Sequence, residues 1–152
     1  MRLLLLFFAI FISPSALAEK AVSQSIEIVQ PVLRETPKGA SVAAGYLVIR
    51  NTGTKDDRLT SANAPFAAMV ETHSMKMVDG VMMMNPLPEG IVIPAGSEIR
   101  LKPGGNHLMF MKIDGVLEKG ETQSVTLIFE EAGAIEVPFE VWSLAKTLSL
   151  RD

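Results

Sequence analysis

Cysteine is absent from the 152 residues. Its absence excludes thiol catalysis, disulfide exchange, iron–sulfur ligation, cysteine-based zinc sites and a cysteine-ligated blue-copper centre. It also removes any cysteine to which a lipid could be attached after a leader. Basic runs are absent as well, and the formal net charge is −3. A mildly acidic chain without a Lys/Arg cluster is a poor nucleic-acid binder and has no polybasic membrane footprint. No Gly-x-Ser-x-Gly elbow, phosphate loop or dinucleotide fingerprint occurs, so nothing points to an enzyme. Aromatic residues are few, with one Trp and one Tyr, and Trp142 reads as core.

Long apolar runs are confined to the start. After Arg2, residues 3–12 are apolar throughout, Ser13-Pro14-Ser15 breaks the run, and Ala16-Leu17-Ala18 precedes Glu19. A charged start, a short apolar centre and a small-x-small exit read as a secretory signal peptide over residues 1–18. Ten apolar residues are too few to cross a hydrocarbon core, which needs about twenty. Residues 19–152 are therefore expected to form a single exported, soluble domain. That length buries roughly two-thirds of the unfolded chain's surface without a disulfide staple.

Strand signals dominate this domain. Ser25-Ile26-Glu27-Ile28-Val29-Gln30 and Glu98-Ile99-Arg100-Leu101 alternate apolar and polar with period two, and Ala44-Gly45-Tyr46-Leu47-Val48-Ile49-Arg50 is more continuously apolar. Val125-Thr126-Leu127-Ile128-Phe129 and the stretch 135–141 flank a turn at Ala132-Gly133-Ala134. Pro37-Lys38-Gly39, Asp79-Gly80, Pro94-Ala95-Gly96, Pro103-Gly104-Gly105 and Asp114-Gly115 supply further turns. Short strands between such turns predict an all-β fold, an antiparallel Greek-key sandwich or barrel. Pro138, inside a strand pattern, is expected to mark an edge or a bulge.

Methionine and histidine carry the unusual pattern. The chain has nine Met and two His, and Met75, Met77, Met82, Met83, Met84, Met109 and Met111 all lie in the window opened by His73. Val78-Asp79-Gly80-Val81 is a two-residue hairpin signal, because Asp-Gly accepts the positive φ angles of a type I′ turn. With Asp79 and Gly80 as the loop, Met77 faces Met82 and Met75 faces Met84. Side chains alternate faces along a strand, so His73, Met75, Met77, Met82 and Met84 share one face and Met83 points the other way. In His107-Leu108-Met109-Phe110-Met111 the same alternation puts His107, Met109 and Met111 together. The turn over residues 102–106 delivers His107 at the start of its strand.

Packing alone accounts for this poorly. Met is a good core filler and marks adaptable hydrophobic surfaces, but β-cores favour Val, Ile and Phe. Nor does packing require both histidines to be in phase with the methionines. Thioether sulfur is a soft neutral donor and imidazole a borderline one, a combination that favours Cu(I) over zinc, magnesium or calcium. In an oxidising compartment it also avoids the disulfide hazard of thiolates. Two other readings remain open, a copper buffer with the same site and a metal-free module that binds a partner through a Met-rich face; a hydrolytic zinc site using carboxylates such as Glu71 is disfavoured, because the histidine strands contribute thioethers instead.

The stretch from His73 to Met84 closely resembles the first half of the copper motif of the periplasmic copper chaperones called PCuAC. Ile93-Pro94-Ala95-Gly96 and the stretch 101–111 resemble the second half. The likeness extends to residues 43–53 and 117–122. It implies a cupredoxin-like, immunoglobulin-like β-sandwich that carries Cu(I) in the periplasm; with no long apolar run after the leader, a monomer without stable membrane insertion is expected. It further implies a copper-accepting partner, either a cytochrome c oxidase subunit under assembly or a thiol-redox copper chaperone. The family's ligand pattern falls on His73, Met84, His107 and Met109, with Met75 and Met111 in phase as reserves. Two features depart from the pattern. Pro31-Val32 stands near a position where members often have an aromatic residue, and Leu148-Ser149-Leu150-Arg151-Asp152 lacks the Met/His-rich tail of some members, so one principal site is expected.

Overall fold

The computed structural model describes residues 25–151; the leader expected over residues 1–18 lies outside them. Ten strands follow one another: β1 (Ile26–Arg34), β2 (Val42–Asn51), β3 (Asp57–Asn63), β4 (Ala67–Val78), β5 (Val81–Pro86), β6 (Ile91–Ile93), β7 (Glu98–Leu101), β8 (His107–Ile113), β9 (Thr122–Phe129) and β10 (Gly133–Trp142). A single helical turn, α1 (Leu144–Leu148), and a 3-10 turn over Ser149–Arg151 end the described chain. Ser143 caps α1, its hydroxyl accepting from the Lys146 amide. No helix among the described residues is long and apolar enough to cross a membrane.

Strand order is β5-β4-β8-β2-β1-β10-β9-β3-β6, with β7 beside β2. Ala62 of β3 also pairs with Val70 of β4, which closes the path from β4 to β3 into a barrel. The expected all-β class holds, but the fully antiparallel arrangement does not. β1 and β10 run parallel, Val32 beside Glu140 and Arg34 beside Trp142. Parallel neighbours need a long connection, and here nearly the whole domain lies between the two strands, a pairing that local turn signals do not encode.

The barrel is filled by alternate residues of its strands. Leu47 and Ile49, Leu108 and Phe110, Val125, Leu127 and Phe129, and Val137, Phe139 and Val141 are buried in one cluster. Gly45 belongs to this packing, since a Cβ there would lie 2.8 Å from the Phe110 ring. Pro138 sits in β10 before the stretch that β1 joins, where β9 is the recorded neighbour, as its missing N–H requires. Two buried polar residues secure the far loops. Asn51 donates to the Lys55 and Ile93 carbonyls, and the Asp57 carboxylate accepts from the Arg58, Glu131 and Ala132 amides.

Leu108 and Phe110 point into the barrel, so His107, Met109 and Met111 lie on its outer wall. A second, smaller cluster of Val32, Tyr46 and Trp142 covers part of that wall, with Ala44 and Leu150 against it.

Candidate metal centre

The β4–β5 hairpin forms in the register expected of its loop. Met75 pairs with Met84 and Met77 with Met82, while Met83 pairs with Lys76 on the opposite face. Asp79 and Gly80 have φ angles of 50° and 80°, the left-handed values a type I′ turn demands. On the other side of β4, β8 runs antiparallel with His73 directly opposite His107, Glu71 opposite Met109 and Met69 opposite Met111.

Successive rows therefore cross one face of three strands. The hairpin end carries Met77 and Met82, then come Met75 and Met84, then the histidine pair. Glu71 and Met109 follow, and Met69 and Met111 close the series. Seven of the eight methionines after Met1 share this face. The two halves of the sequence pattern are brought together by the β4–β8 pairing, a contact between strands 34 positions apart in register at the histidines.

Both histidines are buried although they lie outside the barrel, with 9 % of His73 and 4 % of His107 exposed. Their ring centroids are 5.9 Å apart and the planes are tilted by 53°. Hydrogen bonds fix which nitrogen of each ring carries a proton. His73 Nε2 lies 2.8 Å from a Glu71 carboxylate oxygen, which can only accept, so Nε2 donates and Nδ1 holds the lone pair. That Nδ1 is buried and has no hydrogen-bond partner among the described residues. His107 Nδ1 lies 3.0 Å from the Gly105 carbonyl. It donates there, and the lone pair falls to Nε2. A second-sphere acceptor that orients a ring and leaves its other nitrogen basic is the usual arrangement around metal-binding histidines.

A cavity of about 150 Å³ opens beside this pair, and Met75, Met84, His107 and Met109 all line it. Of the expected ligands, three thus share the cavity and His73 adjoins it through His107. Met75, expected only as a reserve, also lines the cavity; Met111 lies one row beyond Met109. Burial lowers the His107 pKa from its ordinary 6.5, opposed by the Gly105 hydrogen bond and assisted by the nearby His73 ring and the positive field of Arg34. The ring is therefore kept in the form that offers a lone pair.

Several cavity residues escaped the sequence reading. Tyr46, Arg34, Leu148 and Arg151 line it too, and Lys102 Nζ donates to the Arg151 carbonyl at 2.6 Å. The C-terminal turn is thereby strapped beside the loop that precedes His107. No local pattern announces that closure. Glu71 was legible in principle, since a residue two before His73 on a strand shares its face.

Residues 26–141 match the family described as "Putative lipoprotein LpqE-like". A curated relative, "Putative lipoprotein Lxx21020" of Leifsonia xyli subsp. xyli (strain CTCB07), is 32 % identical over 103 residues. The match covers 68 % of this chain and 62 % of the relative, less than two thirds of that protein's length. Among solved structures, the copper-bound PCuAC domain from PmoF2 superposes with a TM-score of 0.67 at 25 % identity, over 78 % of this chain and 93 % of that domain. The Cu(I) form of DR1885 from Deinococcus radiodurans gives a TM-score of 0.61 at 24 % identity, over 82 % of this chain and 85 % of that one, a likeness of fold.

Proposed function

Because the chain belongs to the LpqE-like family, the same family as the PCuAC copper-chaperone domains, we propose that it is an exported Cu(I) chaperone of the periplasm, a carrier and not an enzyme. Its cargo is held by His73, Met84, His107 and Met109, with Met75 able to replace a thioether. The observation that carries this reading is the buried, unpartnered Nδ1 of His73, whose ring lies 5.9 Å from that of His107 beside a methionine-lined cavity. An orphaned buried acceptor is costly, and a bound soft cation removes the cost. Two nitrogens and two thioethers are the donors such a cation prefers.

Release follows from where the donors sit. His73 and His107 project from paired strands of the barrel wall, whereas Met84 belongs to the exposed strand β5. A neutral thioether on an exposed strand is the donor that yields first when a stronger donor, such as an acceptor thiolate, approaches. The acceptor we infer is a protein on the route to cytochrome c oxidase, directly or through a thiol-redox copper chaperone.

Anaerobic Cu(I) titration of the purified exported protein against a chromogenic competitor tests the reading. One tight equivalent is expected, lost in the His107→Ala, Met109→Ala double variant. A wild-type protein that does not compete for Cu(I) overturns it. Deleting the gene separates delivery from buffering: loss of oxidase assembly at low copper marks delivery, and copper sensitivity alone marks a buffer.

A further inference from the structure

Four methionines on the shared face lie outside the cavity, Met69 and Met111 beyond Met109 and Met77 and Met82 at the hairpin end. Met77 and Met82 pair directly across the hairpin at its outer end and are 63 % and 50 % exposed. Core packing does not explain them, because no buried cluster includes either residue. In a hairpin closed by a two-residue loop, the pair next to the loop, Val78 and Val81, exchanges backbone hydrogen bonds. The next pair out, Met77 and Met82, is then of the non-hydrogen-bonded type, and so is Met75 with Met84. Side chains approach closest at such pairs, with Cα atoms about 4.5 Å apart. Long unbranched side chains at that separation bring both sulfurs within reach of one ion. The charged neighbour, Lys76, pairs with Met83 on the opposite face, so no ammonium competes for the same space.

We propose that Met77 and Met82, with Met75 as a third donor, form a second, weaker binding site for a monovalent soft cation at the hairpin tip. The expected ligand is Cu(I), for which Ag(I) serves as a redox-inert probe. The site needs no histidine and therefore no proton release. It lies one row from Met84, so an ion held there is a single donor exchange from the inner cavity: Met75 is common to both positions. The hairpin thus acts as a landing point from which copper is passed inward or outward. This role rests on the proposed copper function, but the binding itself rests only on thioether chemistry and strand register.

Met83 supplies an internal control. It is about as exposed as Met82, on the same strand, but faces away. A hairpin that merely presents adaptable hydrophobic side chains has no reason to treat the two differently.

The test is an Ag(I) titration of the wild-type protein carrying 13C-methyl methionine, followed by NMR. The first equivalent should shift the Met84 and Met109 methyls. The second should shift Met77 and Met82 while Met83 stays in place. A Met77→Leu, Met82→Leu variant should keep the first equivalent and lose the second. The inference is overturned if the Met77 and Met82 methyls do not move beyond one equivalent, if Met83 moves equally, or if the variant still takes two. Shifts at Met77 and Met82 without any at Met84 and Met109 support the outer site and sink the inner one instead.

Discussion

Glu71 lies two positions before His73 on β4, and strand alternation alone puts the two side chains on one face. What alternation does not give is the 2.8 Å hydrogen bond that engages His73 Nε2 and leaves Nδ1 with the lone pair. Removing a partner of this kind costs metal-binding sites roughly 10–100-fold in affinity. Glu71→Ala should therefore weaken Cu(I) binding by at least about 10-fold without changing the stoichiometry, whereas Glu71→Gln, whose amide oxygen still accepts, should retain part of the affinity. Competitive titration of the two variants measures it, and equal affinities in wild type and Glu71→Ala would remove Glu71 from the site's architecture. His107 gives a pH prediction. Its folded pKa lies below the ordinary 6.5, so the unfolded chain binds the proton more readily. The stabilisation this confers on the copper-free protein is complete above pH 6.5 and is lost as pH falls through the lower folded value. Thermal melts at descending pH should show a decline that His107→Gln reduces, and Cu(I) loading should protect against it because the ion occupies the lone pair. The histidines and their phase were legible from spacing; which nitrogen of each ring keeps its lone pair was not, since that depends on Glu71 and the Gly105 carbonyl.

The β4–β5 hairpin shows how far local sequence reaches. Asp79-Gly80 specifies the turn, the turn sets the register, and the register places four thioethers in two facing pairs. All of this follows from a few consecutive residues. By contrast, the β4–β8 pairing that sets His73 opposite His107, and the parallel β1–β10 pairing, join segments far apart in the chain and depend on closure of the barrel. Gly80 tests the local part. At φ 80° with open space where a Cβ would stand, Gly80→Ala strains only the backbone, at a cost of about 1–2 kcal/mol. Much of that cost is expected to appear as fraying of the hairpin, because β5 is an exposed strand at the end of the strand order. Cu(I) affinity should fall through Met84 while the barrel core remains folded. Amide exchange should accelerate in residues 74–85 and stay unchanged in β9 and β10. Uniform acceleration throughout the chain would show instead that the hairpin is integral to the barrel's cooperative unit.

At the scale of the whole molecule the proposed donors lie on the outer wall of the barrel, so something other than the core must keep water from the histidines. The C-terminal turn is placed to do this on the His107 side. Leu148 and Arg151 line the cavity, Leu150 packs with Val32, Tyr46 and Trp142, and Lys102 fastens the Arg151 carbonyl beside the loop leading into His107. The sequence of this segment contains neither Met nor His and offers no donor, which is why spacing arguments passed over it. Its contribution is cover, not ligation. Ending the chain after Ser143 should therefore leave all four proposed donors in place but open the His107 side of the cavity to solvent. Bound Cu(I) then becomes reachable by a competing donor from a second direction, and its release should accelerate. Stopped-flow transfer to a chromogenic chelator should be faster in the truncated protein, while the stoichiometry remains one tight equivalent. The lost burial at Trp142 and Tyr46 should also lower the thermal midpoint of the copper-free form. Destabilisation with an unchanged transfer rate would show that the turn braces the second apolar cluster without guarding the metal; faster transfer in a Lys102→Met variant of the intact chain would locate the guard at the strap itself.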